Sequence, residues 1–196
     1  QKWLDFAELP AYLRDELVSM DEKTKEDAFY TNLEFGTAGM RGLIGAGTNR
    51  INIYVVRQAT EGLAQLIDSK GEEAKKRGVA IAYDSRHFSP EFAFESAQVL
   101  AAHGIKSYVF ESLRPTPELS FAVRHLHTFA GIMITASHNP APFNGYKVYG
   151  EDGGQMPPAD ADALTDYIRA IDNPFTVKLA DLEDSKASGL IEIIGE

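Results

Sequence analysis

The sequence predicts a three-layer α/β domain, in which helices cover both faces of a mixed, largely parallel sheet, preceded by a helical N-terminal arm. Two observations predict this fold. Short apolar runs of strand length alternate with amphipathic helical segments between residues 52 and 135. The chain also has the composition of a folded globular protein, with 44% hydrophobic and 24% charged residues among 196.

Residues 1–30 are predicted to form the helical arm, because apolar side chains recur there at helical spacing. Pro10 marks either a first helical turn or a break between two short helices. A later helix, capped by Asp21 or Thr24, is predicted to continue through Leu33. An amphipathic segment of this kind is expected to pack against the rest of the domain.

Strands and helices alternate in the middle of the chain. Strands are predicted at 79–83, 105–110 and 129–135, and helices at 52–69, from Ser89 to Gly104 and from Thr116 to about His127. Ser89 and Thr116 are predicted to cap their helices, since a proline follows each of them. Residues 70–78 form either a polar linker or a short helix. Because parallel strands are joined by right-handed crossovers, the strand ends at Asp84 and Ser137 are expected at one edge of the sheet.

The last third of the chain begins with a turn signal. Asn144-Gly145 predicts a tight turn, after which residues 146–149 return as a strand and bring Lys147 close to Ser137. The remaining elements are predicted as a loop at 151–155, a helix from Pro157 or Pro158 through Ile171, and then a linker, a short acidic helix and a final strand within 172–196. The chain stops inside that strand, which suggests a piece of a longer protein.

Composition excludes several classes of function. A net charge of −10 argues against a nucleic-acid partner, because proteins that bind phosphate backbones carry basic stripes. The chain contains no cysteine, which rules out disulfides and thiolate metal sites and fits a cytoplasmic location. No apolar run approaches the roughly 20 residues of a membrane span, and no signal peptide opens the chain, so no membrane association is expected.

Five glycines lie between Gly36 and Gly47, where the backbone is free to adopt turns that other residues avoid. The segment Gly45-Ala-Gly47-Thr-Asn-Arg50 lacks the last glycine of a dinucleotide-binding loop. Two interpretations stay open: an anion-binding loop with Arg41 as a fixed cation, or a glycine-rich hairpin.

The stretch 131–140 is an apolar strand that ends in Ser137, His138 and Asn139-Pro140. A serine hydroxyl becomes a useful nucleophile only when a base or a nearby charge activates it. Acyl transfer is the weaker hypothesis, since the Gly-x-Ser-x-Gly elbow is absent and neighbouring side chains such as His138 point to opposite sides of a strand. Phosphoryl transfer requires cations around the phosphate oxygens.

The sequence supplies three candidate cations for phosphoryl transfer, Arg41, Lys147 and Arg86. It supplies no evident metal-binding loop. Asp160-Ala-Asp162 has the form of a carboxylate pair, but its place at a helix start favours capping and interaction with the helix dipole.

Three motifs, in order, resemble those of the α-D-phosphohexomutases, the phosphoglucomutase and phosphomannomutase enzymes. Thr135-Ala-Ser-His-Asn-Pro140 with Asn144-Gly-Tyr-Lys147 resembles their active-site serine loop. Gly36-Thr-Ala-Gly-Met-Arg41 is similar to their N-terminal glycine–arginine motif, and Asp84-Ser-Arg86 to a third short motif. The resemblance covers essentially the whole chain, and its long helical N-terminus is most similar to the longer bacterial phosphoglucomutase branch, which is close to the phosphopentomutases.

The resemblance implies a role for each of these residues. Ser137 is expected to be a phosphoserine whose phosphate completes the coordination of Mg²⁺. Arg41 and Lys147 stabilise the transferring phosphoryl group or assist proton transfer, and His138 orients or protonates nearby oxygens. The phosphate-binding residues that the resemblance implies are Thr37, Arg41, Arg86, Asn139 and Lys147. Asp84 and Arg86 are expected mainly to shape the loop, because charged strand ends often serve as caps or ion pairs.

The implied reaction interconverts hexose 1-phosphate and hexose 6-phosphate through a bisphosphate, with glucose 1,6-bisphosphate as activator. Residues 1–196 are expected to form a single domain, the first of a multidomain mutase. The metal loop, the sugar-recognition loop and the phosphate clamp belong to later domains, so the isolated chain is expected to be inactive and to self-associate through an exposed interdomain surface. A stand-alone sugar-phosphate-binding module is the alternative. The sequence does not separate glucose, mannose and pentose phosphates.

Overall fold

The computed structural model describes residues 1–37 and 39–195, and these form one six-stranded sheet with helices on both of its faces. The strands are β1 (Gly39–Leu43), β2 (Val79–Tyr83), β3 (Ser107–Phe110), β4 (Ala130–Ile134), β5 (Phe143–Tyr149) and β6 (Ile191–Ile194). The helices are α1 (Lys2–Asp5), α2 (Ala11–Ser19), α3 (Glu22–Phe29), α4 (Ile53–Lys70), α5 (Glu72–Arg77), α6 (Ser89–Ala102), α7 (Thr116–His125), α8 (Pro158–Arg169) and α9 (Leu182–Ala187), with a 3₁₀ turn at Pro174–Thr176.

The strand order is β1-β5-β4-β2-β3-β6. The pairs β4–β2, β2–β3 and β3–β6 are parallel, whereas β5 is antiparallel to both β4 and β1. The predicted mixed, largely parallel α/β sheet is therefore confirmed. No helix in the described ranges combines the length and the apolar character that crossing a bilayer requires.

The sheet separates two apolar clusters. The larger one joins α4 and α6 to one face of the sheet, and it includes Ile81 and Ile132 from the central strands. The smaller one lies under α7 and includes Ala80, Ala82 and Met133. Every residue of β2 and of β4 is buried, as expected for central parallel strands that are covered on both faces.

The ends of β2 and β4 lie side by side, as the alternation of strands and helices predicts. Tyr83 is in register with Ile134, and the Asp84 backbone N–H donates to the Ile134 carbonyl at 3.1 Å. The loops that follow these two strands therefore begin at the same edge of the sheet, where an open parallel sheet binds its ligands.

The predicted turn at Asn144-Gly145 is wrong, because β5 runs straight through both residues. Tight hairpin turns require a positive φ, and neither residue has one. Gly145 lies between β1 and β4, where an added Cβ would be 2.5 Å from the Thr135 carbonyl oxygen and 2.9 Å from that of Met40. The glycine is needed for close strand approach rather than for a turn.

The predicted caps at Ser89 and Thr116 are also wrong. Both residues are the first of their helices, and neither side chain makes a capping hydrogen bond. The Ser89 hydroxyl instead donates to Asp84 Oδ1 at 2.8 Å, and Phe88 precedes α6 with a left-handed φ of 64°. Tertiary hydrogen bonding has replaced the local cap.

The N-terminal arm consists of three short helices that pack on the loop after β1. Asp21 caps α3 by accepting from the Thr24 N–H at 2.7 Å. This helix ends at Phe29 and does not reach Leu33, whose N–H donates to the Thr48 carbonyl at 2.7 Å instead. Residues 70–78, left open between linker and helix, contain the short helix α5.

Two contacts anchor the arm. The Glu16 carboxylate of α2 accepts from the Ala46 N–H at 3.1 Å. Arg50, which is 7% exposed, pairs with Asp27 of α3 at 2.6 Å. The arm therefore holds the segment that follows β1.

His103, which caps the C-terminus of α6, is held between two carboxylates of α4. Its Nε2 lies 2.8 Å from Glu61 Oε2, and its Nδ1 lies 2.7 Å from Asp68 Oδ2. The hydrogen bond that His103 donates to Glu61 is the main cause that raises the pKa of His103, and the same bond lowers the pKa of Glu61. The two helices are thus joined by a clamp that is strongest when the imidazole is charged and the carboxylates are ionised.

We expect His103→Gln to lower the free energy of unfolding by about 1–2 kcal/mol near pH 5.5, because charge-assisted hydrogen bonds are lost. A raised His103 pKa stabilises the fold fully below its ordinary value of 6.5, and this contribution disappears as pH rises through the folded pKa. A lowered Glu61 pKa stabilises above its ordinary value of 4.5, and this is lost as pH falls through the folded pKa. Thermal melts of the parent protein and of His103→Gln, recorded from pH 4 to 9, should therefore differ most between pH 4.5 and pH 6.5.

The matched control is His125→Gln, since His125 is an exposed histidine that stacks on Phe121. It should show no such pH-dependent difference. If the difference in stability between His103→Gln and the parent protein stays constant across the whole pH range, the hydrogen bonds of His103 do not depend on its charge and the prediction is wrong.

Gly39 controls the pairing of β1 with β5. It lies opposite Lys147 with a φ of 148°, and an added Cβ would overlap the carbonyl oxygen of Tyr146. We expect Gly39→Ala to cost about 2–4 kcal/mol of stability, measured by urea unfolding, because it adds both backbone strain and a steric overlap. Gly36→Ala is the control, since its Cβ would meet only the Gly39 carbonyl oxygen at 3.7 Å. Equal unfolding midpoints for the two variants would show that this close approach is unimportant.

Candidate active site

The candidate site lies where β4 ends and the chain emerges at the edge of the sheet. Thr135 and Ala136 are buried, and Ser137 is the first exposed residue. The Ser137 backbone has a left-handed φ of 54°, which is uncommon for a residue other than glycine. Its N–H donates to Thr135 Oγ1 at 3.1 Å, and the Asn139 N–H donates to the Ala136 carbonyl at 3.1 Å. This tight turn presents the serine hydroxyl to solvent.

Lys147 reaches Ser137 from the neighbouring strand. Its Nζ donates to Ser137 Oγ at 3.1 Å. In β5, Lys147 is in register with Met133 of β4 on one side and Gly39 of β1 on the other. The ammonium group therefore lies where it can stabilise negative charge on the serine oxygen or on a group attached to it.

Tyr146, the neighbour of Lys147, holds β5 from the opposite face of the sheet. It is completely buried, and its hydroxyl lies 2.9 Å from Thr60 Oγ1 of α4. Burial raises the pKa of Tyr146, so the phenol stays neutral and keeps this hydrogen bond over the physiological pH range. The strand that carries Lys147 is thereby fixed to the core.

Arg41 approaches the same loop from β1. It lies opposite Gly145 in the β1–β5 pair, and its guanidinium donates to Asn139 Oδ1 at 2.7 Å. Because β1 pairs with β5 along its whole length, residues 39–43 are an edge strand of the sheet rather than one arm of a local hairpin, and their bonds to adjacent segments are confined to the ends at Gly39 and Leu43. The glycine-rich segment instead positions Arg41 beside Asn139.

Two other predicted site residues are exposed. Thr37 lies in the turn that leads into β1, where the Gly36 N–H donates to the Gly39 carbonyl at 2.8 Å. Ala38, within the same motif, lies outside the described residues. His138 follows Ser137 and makes no side-chain hydrogen bond to the described part of the chain. Both side chains are therefore open to solvent.

Arg86 holds the serine loop through its main chain. One terminal nitrogen donates to the carbonyls of Pro140 and Phe143 at 2.9 and 3.0 Å. The other donates to the carbonyls of Ser137 and Asn139 at 2.9 and 2.6 Å. We call these four hydrogen bonds the Arg86 clamp. They support the expectation that Arg86 shapes the loop, whereas phosphate binding by Arg86 stays a prediction.

Asp84 holds the Arg86 clamp from the end of β2. Its Oδ1 accepts from the Arg86 N–H at 3.0 Å, and its Oδ2 lies 3.4 Å from Arg86 Nε. A polar cleft of about 400 Å³ opens beside this pair and is lined by residues of the loops after β2 and β4, including Ser85, Ser137 and Asn139. A larger cavity of about 570 Å³ lies within the N-terminal arm, away from the serine loop. Its lining combines apolar side chains with the charged residues Glu22, Lys23, Lys25 and Glu26.

Sequence reasoning missed two residues of this site. Thr135 supports the Ser137 turn through its hydroxyl, and the chemical signal was its place two residues before the serine. Asn144 is buried beside the Arg86 clamp. Its pattern predicted only a turn, and the family resemblance included it in the serine-loop motif without giving it a role. The pair Asp160 and Asp162 lies away from this loop, and Asp160 binds Lys70 Nζ at 2.7 Å in the first turn of α8, as expected for a helix start.

The arrangement is suited to handling an anion at Ser137. Two cations, Lys147 and Arg41, contact the serine and its loop, and no carboxylate or imidazole among the described residues contacts the hydroxyl as a hydrolase base would. Within the described ranges, no three His, Asp or Glu side chains converge as a metal site.

Comparisons with known proteins agree with this fold. Residues 32–175 match the family model described as phosphoglucomutase/phosphomannomutase, alpha/beta/alpha domain I. The chain is 41% identical over 180 residues to a phosphoglucomutase of Staphylococcus saprophyticus, a match that covers 92% of the chain and 32% of that relative. It is 43% identical over 173 residues to a phosphoglucomutase of Staphylococcus haemolyticus, covering 86% of the chain and 31% of that relative.

Solved structures are also similar. A putative phosphomannomutase from Thermus thermophilus aligns with a TM-score of 0.67 and 27% identity, over 84% of this chain and 33% of that one. A phosphoglucomutase/phosphomannomutase family protein from Burkholderia thailandensis shares the fold, with a TM-score of 0.58 over 82% of this chain and 32% of that one, at 21% identity. The chain spans about a third of the length of the curated relatives it matches.

Fold and site together define a mixed α/β domain that displays a serine between a lysine and an arginine. The chain belongs to the phosphoglucomutase/phosphomannomutase family, in which it corresponds to domain I, and it groups with the bacterial phosphoglucomutases.

We expect Arg86→Lys to loosen the serine loop without unfolding the domain. A lysine has a single nitrogen and cannot reach four carbonyls that two guanidinium nitrogens share. Amides of residues 137–143 should exchange with deuterium about 10-fold faster or more, while those of the central strands stay protected. Arg124→Lys is the control, since among the described residues the Arg124 guanidinium bonds the Ser120 carbonyl, on the surface of α7. Unchanged exchange in the loop would mean that the Arg86 clamp is dispensable.

Proposed function

We propose that this chain is the phosphoserine-bearing first domain of a phosphohexomutase, and that Ser137 carries the phosphoryl group. The observation that carries the proposal is the 3.1 Å contact between Lys147 Nζ and Ser137 Oγ at the exposed end of β4. Membership of the phosphoglucomutase/phosphomannomutase family supports it.

The proposed reaction interconverts hexose 1-phosphate and hexose 6-phosphate through a bisphosphate. In the first step, the bond between the Ser137 oxygen and phosphorus breaks, and a free sugar hydroxyl forms a new bond to phosphorus. The proton of that hydroxyl leaves to a base, and the Ser137 oxygen takes up a proton. In the second step, the other phosphate of the bisphosphate returns to Ser137 by the reverse transfer, so that the phosphoserine is restored and the isomerised monophosphate leaves.

Lys147 and Arg41 have the main roles in this proposal. The Lys147 ammonium stabilises the leaving serine oxygen and is positioned to give it a proton, because it already donates to that atom. The Arg41 guanidinium, held against Asn139, faces the same loop and stabilises the charge spread over the transferring phosphoryl oxygens. His138 orients or protonates nearby oxygens.

The remaining predicted contacts to phosphate are those of Thr37, Asn139 and Arg86. Thr37 is exposed and free to approach a ligand, whereas Asn139 acts through the oxygen and nitrogen of its amide. The guanidinium of Arg86 bonds four carbonyls, so a direct phosphate contact by this residue requires that the Arg86 clamp rearrange.

Mg²⁺ and glucose 1,6-bisphosphate, as activator, complete the proposal. The described residues do not by themselves provide a metal site, since Asp84, the carboxylate nearest the loop, is bonded to Arg86 and Ser89. A phosphate on Ser137 adds one hard oxygen ligand of the kind that Mg²⁺ prefers, and the other ligands come from outside this chain.

The proposal also concerns the rest of the polypeptide. Residues 1–196 act as one domain, and the other domains supply the metal ligands and the substrate clamp. The isolated chain is therefore inactive, because phosphoryl transfer depends on positioning and on electrostatic stabilisation that it lacks. Its interdomain surface, exposed in isolation, promotes self-association. The proposed location is the cytoplasm, in agreement with a sequence that contains no cysteine.

We expect Ser137→Ala, in the complete polypeptide that contains this chain, to reduce mutase activity about 10⁴-fold or more, because the group that carries the phosphate is removed. In intact-mass spectrometry, the Ser137→Ala variant should also lack the acid-stable, alkali-labile phosphate that the parent protein carries. The control is Ser19→Ala, which removes an exposed hydroxyl that donates to the Glu16 carbonyl in α2, away from the serine loop, and should keep both activity and phosphate.

Full turnover by Ser137→Ala would remove Ser137 from the mechanism. Hexose-phosphate binding by the unmodified protein without any phosphate on Ser137 or any turnover would instead favour the stand-alone binding module.

A further inference from the structure

Asn144 is a completely buried polar residue at the centre of the serine loop's support. Its Nδ2 donates to the His87 carbonyl at 3.0 Å and to the Ser89 hydroxyl at 2.9 Å. Its Oδ1 accepts from the Gly145 N–H at 2.8 Å. Both ends of the amide are thus bonded, and the side chain has one defined orientation.

Ser89 extends these contacts to the Arg86 clamp. The Ser89 hydroxyl, also completely buried, accepts from Asn144 and donates to Asp84 Oδ1 at 2.8 Å. The same Asp84 oxygen accepts from the Arg86 N–H, and the other carboxylate oxygen lies near Arg86 Nε. A continuous series of polar contacts therefore runs from Asn144 through Ser89 and Asp84 to Arg86.

This series returns to the strand where it began. Arg86 donates to the carbonyl of Phe143, the residue directly before Asn144, and to the carbonyl of Ser137. On the other side of Asn144, the Gly145 carbonyl accepts from the Thr135 N–H at 3.1 Å, and the Thr135 hydroxyl supports the Ser137 N–H. Both ends of the Ser137 turn are therefore connected by hydrogen bonds to the residues on either side of the buried Asn144.

We propose that Asn144 and Ser89 are positioning residues for phosphoryl transfer. Acting through Asp84, they hold the Arg86 clamp, which keeps Ser137 in its left-handed conformation with its hydroxyl 3.1 Å from Lys147 Nζ. This inference rests on the proposed function, because it concerns the efficiency of the step in which Ser137 takes part.

A hydroxyl as deeply buried as that of Ser89 contributes to stability wherever it lies, so a loss of stability does not test the proposal. Ser96 provides the matched control. It lies on the same helix, is also completely buried, and its hydroxyl donates to the Phe92 carbonyl at 2.8 Å, within α6. Ser96→Ala removes a comparable hydrogen bond that has no path to the serine loop.

The experiment compares Ser89→Ala and Ser96→Ala in the complete polypeptide, with glucose 1-phosphate as substrate. We expect Ser89→Ala to lower kcat about 10- to 100-fold with KM within about 2-fold, since a small displacement of a reacting group has effects of this size. Ser96→Ala should leave kcat and KM within about 2-fold of the parent. Equal kcat values for the two variants would overturn the proposal.

A double variant tests whether Ser89 acts on the serine loop through Arg86. If Ser89 acts through Arg86, then Ser89→Ala combined with Arg86→Lys should have a kcat close to that of Arg86→Lys alone, because residues in one network are not additive. Effects that multiply would show that Ser89 does not act through Arg86.

Two outcomes need separate treatment. If Ser89→Ala does not fold, Asp84→Asn tests the proposal instead, because Asp84 is partly exposed and asparagine has the same shape. A kcat of Asp84→Asn equal to that of the parent protein would overturn the proposal. If Ser137→Ala is fully active, the proposed function itself fails. An inactive Ser137→Ala together with a normal Ser89→Ala rejects only the positioning role.

Discussion

The hydrogen bonds between the Arg86 guanidinium and four carbonyl groups are the interaction on which the serine loop depends. Residues 137–142 lie outside the strands, and an irregular backbone needs hydrogen-bond donors from elsewhere. Arg86 supplies them from the end of β2, which the parallel crossover has already placed beside the end of β4. A left-handed serine is tolerated there because its surroundings determine its conformation from several sides.

The antiparallel part of the sheet gives the loop its charge. Gly39 and Gly145 allow β1, β5 and β4 to approach closely, and the register then directs Arg41 and Lys147 toward Ser137. Because the chain carries a net charge of −10, the positive charge at the serine loop depends on these few side chains. The glycines of these motifs therefore allow the strands to approach closely, and the cations of the same motifs provide positive electrostatic potential at the serine loop.

Much of this arrangement follows from local sequence. The buried strands β2 and β4, the helix α4 and the shared edge at Asp84 and Ser137 were predicted, because their apolar runs and helical periodicity agree with the tertiary structure. Asn144-Gly145 and Ser89 were misinterpreted because turn and cap preferences are local, whereas burial and tertiary hydrogen bonds decided both. The contact between Arg41 and Asn139 joins residues 98 positions apart, and only the resemblance to a known family brought these residues together beforehand.

The position of β1 at the edge of the sheet also matters for folding. It is the first of the six strands in chain order, yet it pairs with β5, the fifth. Pairing between strands so far apart in the chain is slow, because the entropy of closing the intervening loop is lost before the contacts form. The arm binds the segment after β1 through Glu16 and Asp27, and these contacts do not involve β5. The arm therefore covers the glycine-rich segment next to an edge strand, and sheet edges are the places where separate chains pair most readily.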